Sequence, residues 1–156
     1  MAWRYFAGPP LKHLAFIGVI FIKICMATIY REFNVNIPAA QAWAAIKDVG
    51  AVHTRLAKGF VKDVALEDNI RTVTFANGFT VKEQIIAIDA DHKRLAYTSV
   101  GGRASHHNAY FQVFEVDYNS CRIAWVTDLL PEEVAGTIEA MVDKGIEAIK
   151  QTLNNK

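Results

Sequence analysis

The stretch Pro131–Leu153 constrains the fold more than any other part of the chain. Val134, Ile138, Met141, Val142, Gly145, Ile149 and Leu153 recur at spacings of three and four, which puts them on one side of a 3.6-residue helix. Glu139, Asp143, Glu147, Lys150 and Gln151 fall mostly elsewhere. Pro131 suits a first helical turn, where its missing N–H costs nothing, and Glu132 and Glu133 sit where the helix dipole favours negative charge. Asn154, Asn155 and Lys156 end the pattern. A helix this long and this one-sided needs a large apolar surface to lie on.

The preceding residues read as that surface. Thr28–Val35 alternates Ile29, Arg31, Phe33 and Val35 with Tyr30, Glu32 and Asn34, a strand pattern that Asn36 and Pro38 end. Ala39–Asp48 is alanine-rich and opens near a proline, with Ala42, Trp43 and Ile46 as its inward side, and Gly50 breaks it. Ala51–Lys58 reads as a second short helix, stopped by Gly59. Strands then follow at 60–66, 70–75, 79–88, 95–100 and 105–116, and a last one starts near Cys121 or Arg122 and runs to Leu129. Turn residues separate them, the strongest being Asn77-Gly78. The expected fold class is α+β: a curved antiparallel sheet of six to seven strands wrapped around the C-terminal helix, with two short helices after the first strand. A twisted sheet over a single helix rarely closes along its whole length, so a mostly apolar cavity is expected between them.

Residues 1–26 differ from the rest. They hold Arg4, Lys12 and Lys23 of the 17 basic side chains and none of the 16 acids, so the remaining chain is net negative and lacks the clustered basic surface that nucleic acid requires. The apolar run Leu14–Ile22 is short for a transmembrane helix. Three readings stay open: a signal segment, a membrane-associated segment, or an over-extended start with Met26 as the natural one. The last is favoured because the domain pattern begins right after Met26. The division expected is 1–26 as an N-terminal extension and 27–156 as the domain. Localisation is then cytoplasmic if Met26 is the true start, and membrane-associated or exported otherwise. Cys25 and Cys121 stand far apart and make no metal or redox spacing, so each reads as a small buried or half-buried thiol.

Three segments carry a family resemblance: IYREFNVNIPAAQAWAAIKDV, TVKEQIIAIDADHKRLAYTSVGG and RIAWVTDLLPEEV. In their order and spacing the chain resembles the helix-grip superfamily of START domains and the birch pollen allergen (SRPBCC), its polyketide cyclase/dehydrase-like branch most, and more distantly the abscisic acid receptors. The resemblance covers about residues 28–153. It implies a helix-grip fold and a hydrophobic ligand cavity. It also implies that Glu83 matches an acidic cavity residue, that Lys58 matches the lysine meeting a ligand carboxylate, and that Phe79 and Gly101-Gly102 match two loops at the cavity mouth.

Strand alternation supplies further candidates. If Lys82 and Gln84 face water, Val81, Glu83, Ile85 and Ala87 face inward. Tyr97 and Ser99 share a face with Leu95, and Ile123, Trp125 and Thr127 share another, with Trp125 read as core packing. His106 and His107 are adjacent, so they point to opposite faces and cannot easily hold one metal together; no metal site is expected, and no cofactor. Because Glu115 and Asp117 belong outside, alternation assigns His106, Asn108, Tyr110, Gln112 and Phe114 to the inner face; a bulge in the 105–109 region would reverse that assignment. Met141 and Gly145 belong to the helix side of the cavity, where the missing side chain at Gly145 is expected to leave room for a guest.

No Ser-His-Asp arrangement, phosphate loop or nucleotide fingerprint occurs. Two main functions remain. The first is binding of a small hydrophobic molecule (a lipid, polyketide, isoprenoid or aromatic compound) with Lys58, Glu83, Tyr97, Asn108 and Tyr110 orienting it. The alternative is a cyclase or dehydratase using Glu83 or His106 as general acid/base. A protein-interaction role through sheet edge or loops is a third. Oligomeric state is not legible, and membrane contact would run through residues 1–26.

Overall fold

Seven strands form one antiparallel sheet in the order β1-β7-β6-β5-β4-β3-β2, in a computed structural model that describes residues 26–155. The expectations for residues 1–25, including the apolar run and Cys25, lie outside the described residues. The strands are β1 (Ala27–Val35), β2 (Val61–Glu67), β3 (Ile70–Phe75), β4 (Thr80–Asp89), β5 (Arg94–Val100), β6 (His106–Asp117) and β7 (Ser120–Leu130). Helix α1 (Ala39–Ile46) and a π-helical turn (Val52–Leu56) follow β1 and carry the chain to the far edge. Helix α2 (Ala135–Asn154) is the last element.

The meander from β2 to β7 arises because each turn is short and polar. At Asn77-Gly78 the glycine sits at φ +83°, a left-handed conformation that residues with a β-carbon avoid, and Asn77 Oδ1 accepts a hydrogen bond from the Phe79 N–H at 3.0 Å. β1 pairs with β7 across its whole length, from Ala27 with Leu129 to Val35 with Cys121. Both inner faces and α2 then enclose one core, with Val35, Cys121, Ile123, Leu129 and Leu153 at 0% exposure. Burial pushes the Cys121 thiol up to about 11, so it is an inert packing group.

The helix buries the stripe its spacing predicts. Val142, Ile149 and Leu153 are buried together with Ile146 and Ala148, at about 1.5–3 kcal/mol for each large aliphatic chain. Its outer margin is tied down by Arg31 of β1, which donates to Asp143 at 2.8 Å and Glu139 at 2.5 Å. The helix begins later than expected. Pro131 is extended, at ψ 164°, and Glu132–Val134 form a tight 3-10 turn before α2 starts at Ala135. The second short helix is likewise one π-helical turn, closed by the Ala57 N–H donating to the Val52 carbonyl at 2.8 Å. No helix among the described residues is long and apolar enough to cross a membrane.

Candidate functional site

Sheet and helix part company near the start of α2, leaving a cavity of about 390 Å³. Its helix wall is Val134, Ile138, Met141 and Val142, and its sheet wall includes Phe75, Val81, Tyr97 and Trp125. It meets solvent at Phe79, Val100, Gly101, Gly102 and Arg103, all exposed, where the β3–β4 and β5–β6 turns face α2. A smaller pocket of about 60 Å³ lies further along α2, against Gly145 and Ile149. Trp125, Tyr97 and Glu83 stand in the walls of both.

Two hydrogen-bonded sets of polar groups stand in or beside the wall. Glu83 on β4 is paired in register with Arg71 on β3, and Arg71 Nε donates to Glu83 Oε2 at 2.7 Å. Their side chains are 6% and 14% exposed, so the two charges neutralise each other out of water, where either alone would be costly. The Arg71 guanidinium also lies 5.0 Å from the centre of the Tyr97 ring. Tyr97, 3% exposed, accepts a hydrogen bond from Trp125 Nε1 at 3.0 Å. Burial, then the Glu83 charge, pushes the Tyr97 hydroxyl far above its ordinary value, so it stays protonated.

The second set is on β5 and β6. The Ser99 N–H donates to His107 Nδ1 at 3.1 Å, which leaves the ring proton on Nε2. Thr98 Oγ1 donates to the His107 carbonyl. Burial lowers the His107 pKa, opposed in part by the Glu83 carboxylate. The neutral imidazole is therefore the resting form at pH 7.

Of the residues assigned from sequence, Phe79, Val81, Glu83, Tyr97, Ser99 and Met141 all stand in the cavity wall. Gly145 belongs to the smaller pocket instead, and the space beside it is not open: an added β-carbon would lie 2.9 Å from the Trp125 ring. Lys58 is exposed and outside the wall. It sits before Gly59, whose φ is +80°, and its backbone N–H donates to Thr152 Oγ1 of α2 at 3.0 Å. The backbone, not the ammonium, is what faces inward there.

The face assigned to β6 is reversed. Ala109, Phe111 and Val113 are the buried set, and His107 shares their parity and reaches the cavity. His106, Asn108, Tyr110 and Gln112 therefore lie on the convex side, as does Phe114. Tyr110 there stacks under Arg94, at 4.5 Å, and Phe114 under Arg122, at 4.9 Å. Glu115 misled the assignment. It has the inner parity but lies past Gln112, the last β6 residue that β5 pairs at that end, and the register then shifts before Asp117. A second shift, between Ile85 and Ala87 on β4, moves Ala87 out of the inner set and opposite Ala96.

No local pattern marks Arg71 as a site residue; the signal for it is the register that the Asn77-Gly78 hairpin sets, which puts it opposite Glu83. Trp125, which alternation reads as packing, is also cavity wall and hydrogen-bond donor. Among the described residues no group of three or more His, Cys, Asp or Glu is placed to hold a metal ion.

A curved antiparallel sheet gripping a C-terminal helix over a ligand-sized cavity defines an α+β domain of the helix-grip fold. The chain belongs to the family described as polyketide cyclase / dehydrase and lipid transport, whose model matches residues 26–154. A search of curated proteins finds no match. Solved structures with this fold include an uncharacterized protein from Bacillus thuringiensis (TM-score 0.73, 15% identity, covering 81% of this chain and 98% of that one). The Zhui aromatase/cyclase from Streptomyces sp. R1128 is similar at TM-score 0.64 and 15% identity, covering 84% and 93%. Norcoclaurine synthase from Thalictrum flavum, solved in complex with dopamine and hydroxybenzaldehyde, is similar at TM-score 0.61 and 17% identity, covering 97% and 98%.

Proposed function

We propose that the domain binds one small hydrophobic molecule in the cavity between β3–β7 and the start of α2. The observation that carries this is the cavity itself. It has about 390 Å³ of space, within the range of small-molecule sites. Its wall is mostly aliphatic and aromatic in area, with Glu83, Ser99, His107 and Thr127 among its polar groups. Removal of the guest's apolar surface from water, at about 25 cal/mol per Å², supplies the affinity. The internal pairing of Glu83 with Arg71 supports binding over catalysis, because a paired carboxylate is not poised to move protons. The family description, which includes lipid transport, agrees with this reading.

Native mass spectrometry of the purified protein should show a co-purifying apolar ligand, and a panel of lipids and aromatic compounds should raise the melting temperature. A clean unliganded spectrum with no thermal shift across the panel overturns the proposal.

One observation favours a second reading, a cyclase or dehydratase. His107, Tyr97 and Glu83 stand in one wall, and a neutral imidazole with Nε2–H is a serviceable general acid or base. His107 then takes the place of His106. Under this reading His107→Ala abolishes turnover of a bound carbonyl compound while leaving its affinity within a few-fold.

A further inference from the structure

The buried hydroxyl of Tyr97 has a hydrogen-bonding state that its neighbours fix. The indole N–H of Trp125 can only donate, so in the 3.0 Å bond between them the tyrosine oxygen is the acceptor. The phenolic proton must go elsewhere. Among the described residues that hydroxyl makes no other hydrogen bond. Yet Tyr97 is 3% exposed and stands in the wall of the main cavity. A buried donor without an acceptor is unfavourable, and the open space that Tyr97 borders is the main cavity and the smaller pocket beside it.

Trp125 cannot easily rotate away to change this. Its ring lies against α2 where a β-carbon at residue 145 would stand 2.9 Å from it, and on its other flank Phe111 packs at 4.5 Å between ring centres. Arg71 covers the Tyr97 ring and spends its Nε–H on Glu83. Thr127, 2% exposed, stands in the same cross-strand row, opposite Ala109, which is itself opposite Tyr97. It too lines the cavity.

We infer that the Tyr97 hydroxyl donates a hydrogen bond to a neutral carbonyl oxygen of the molecule held in the cavity. The inference rests on the binding function proposed above and adds the polar group its ligand must carry. A carboxylate is the wrong partner, because Arg71, the buried cation beside Tyr97, is already paired with Glu83, and an uncompensated charge is costly where water is excluded. A protonated amine is the wrong partner as well, since it has no lone pair to accept the phenolic proton. The ligand's apolar body then extends toward Ile138 and Met141.

Two probes of matched shape test this: 2-acetylnaphthalene, which carries the acceptor, and 2-isopropylnaphthalene, which does not. Their affinities are measured by isothermal titration calorimetry on the wild-type protein and on Tyr97→Phe. The ketone should lose about tenfold in affinity in the variant, as expected for one lost hydrogen bond, while the hydrocarbon stays within twofold. Equal losses for both probes, or none for the ketone, overturn the role of Tyr97 and leave the cavity's binding function standing. Binding of neither probe by the wild type counts against both. The infrared carbonyl stretch of 13C-labelled 2-acetylnaphthalene gives an answer that needs no folded variant. Bound to the wild type, it should lie below its frequency in hexane; a stretch at the hexane value overturns the inference.

Discussion

The β-carbon that Gly145 lacks would lie 2.9 Å from Cζ3 of Trp125, 3.1 Å from its Cη2 and 3.3 Å from Cε1 of Phe60. The glycine is what lets the indole approach α2 this closely, and the space its spacing suggested for a guest is taken by that ring. Two effects of Gly145→Ala therefore oppose each other. Alanine is the better helix former by about 1 kcal/mol. Forcing atoms into a packed site costs about 1–3 kcal/mol, and the atoms met are a pinned aromatic ring rather than the end of a flexible chain. The overlap should win: urea unfolding should show a loss of about 1 kcal/mol, with a change in the Trp125 fluorescence. A stabilised variant would mean that the ring yields freely.

The Arg71–Glu83 pair makes Glu83 a structural partner first. With side chains 6% and 14% exposed, removal of one charge leaves the other stranded, at about 3–5 kcal/mol for a buried pair. Glu83→Gln should fall near the lower end of that range, because the amide oxygen still accepts from Arg71. The double variant Arg71→Met/Glu83→Leu should recover most of the loss, since apolar replacement of a buried pair is often neutral. Denaturant midpoints of the three variants check this. If the double variant is as unstable as the sum of the singles, the pair is not an isolated unit.

His107 predicts a pH dependence. Burial lowers its pKa in the folded protein, while the unfolded chain binds the proton near the ordinary value of about 6.5. The unfolded state thus holds more protons across the interval between the two values, and stability rises with pH there. The contribution is complete above about pH 6.5 and is lost as the pH falls toward and through the lowered value. His107→Gln keeps an acceptor for the Ser99 N–H and removes the titration. Urea unfolding at pH 7.5 and pH 5 should show a smaller difference for the variant than for the wild type. An unchanged difference would assign the acid sensitivity to other groups.

How much was legible in the sequence follows from where burial is periodic. The α2 stripe, the β1 alternation and the Asn77-Gly78 turn depend on local spacing, and the structure has them where the residues say. On β5, Leu95, Tyr97 and Ser99 share the inner face as alternation required. On β6 the same rule failed, because the anchor chosen for it was Glu115. Parity holds only while a strand is covered on both sides, and Glu115 lies past the end of β5. The extra residue at Ile86 and the register shift before Asp117 leave no mark in composition. The Trp125–Gly145 contact is further still from local pattern: it joins residues 20 apart in sequence across two packed elements. That is why alternation turned Glu83 and Tyr97 toward the cavity, where the structure has them, but turned His106 inward in place of His107 and left open the space at Gly145 that Trp125 fills.

The reassigned β6 face gives the sharpest contrast between the sequence reading and the structure. Tyr110 lies on the convex side under Arg94, away from the cavity, whereas Met141 stands in the cavity wall. Tyr110→Ala removes an aromatic ring from a surface stack, and affinity for 2-isopropylnaphthalene should stay within about twofold, since no contact with the guest is lost. Met141→Trp puts a rigid, larger ring where a flexible thioether lines the opening, at a position only partly buried. Its stability cost should stay near the low end of the roughly 1–3 kcal/mol expected for overpacking, because the added atoms enter free space. Affinity should nonetheless fall by about tenfold or more, since the filled volume is the volume the guest needs. Calorimetric titration of both variants beside their unfolding curves separates the two effects. Loss of binding in Tyr110→Ala with none in Met141→Trp would move the site to the convex face, with the residues the sequence pattern had turned inward.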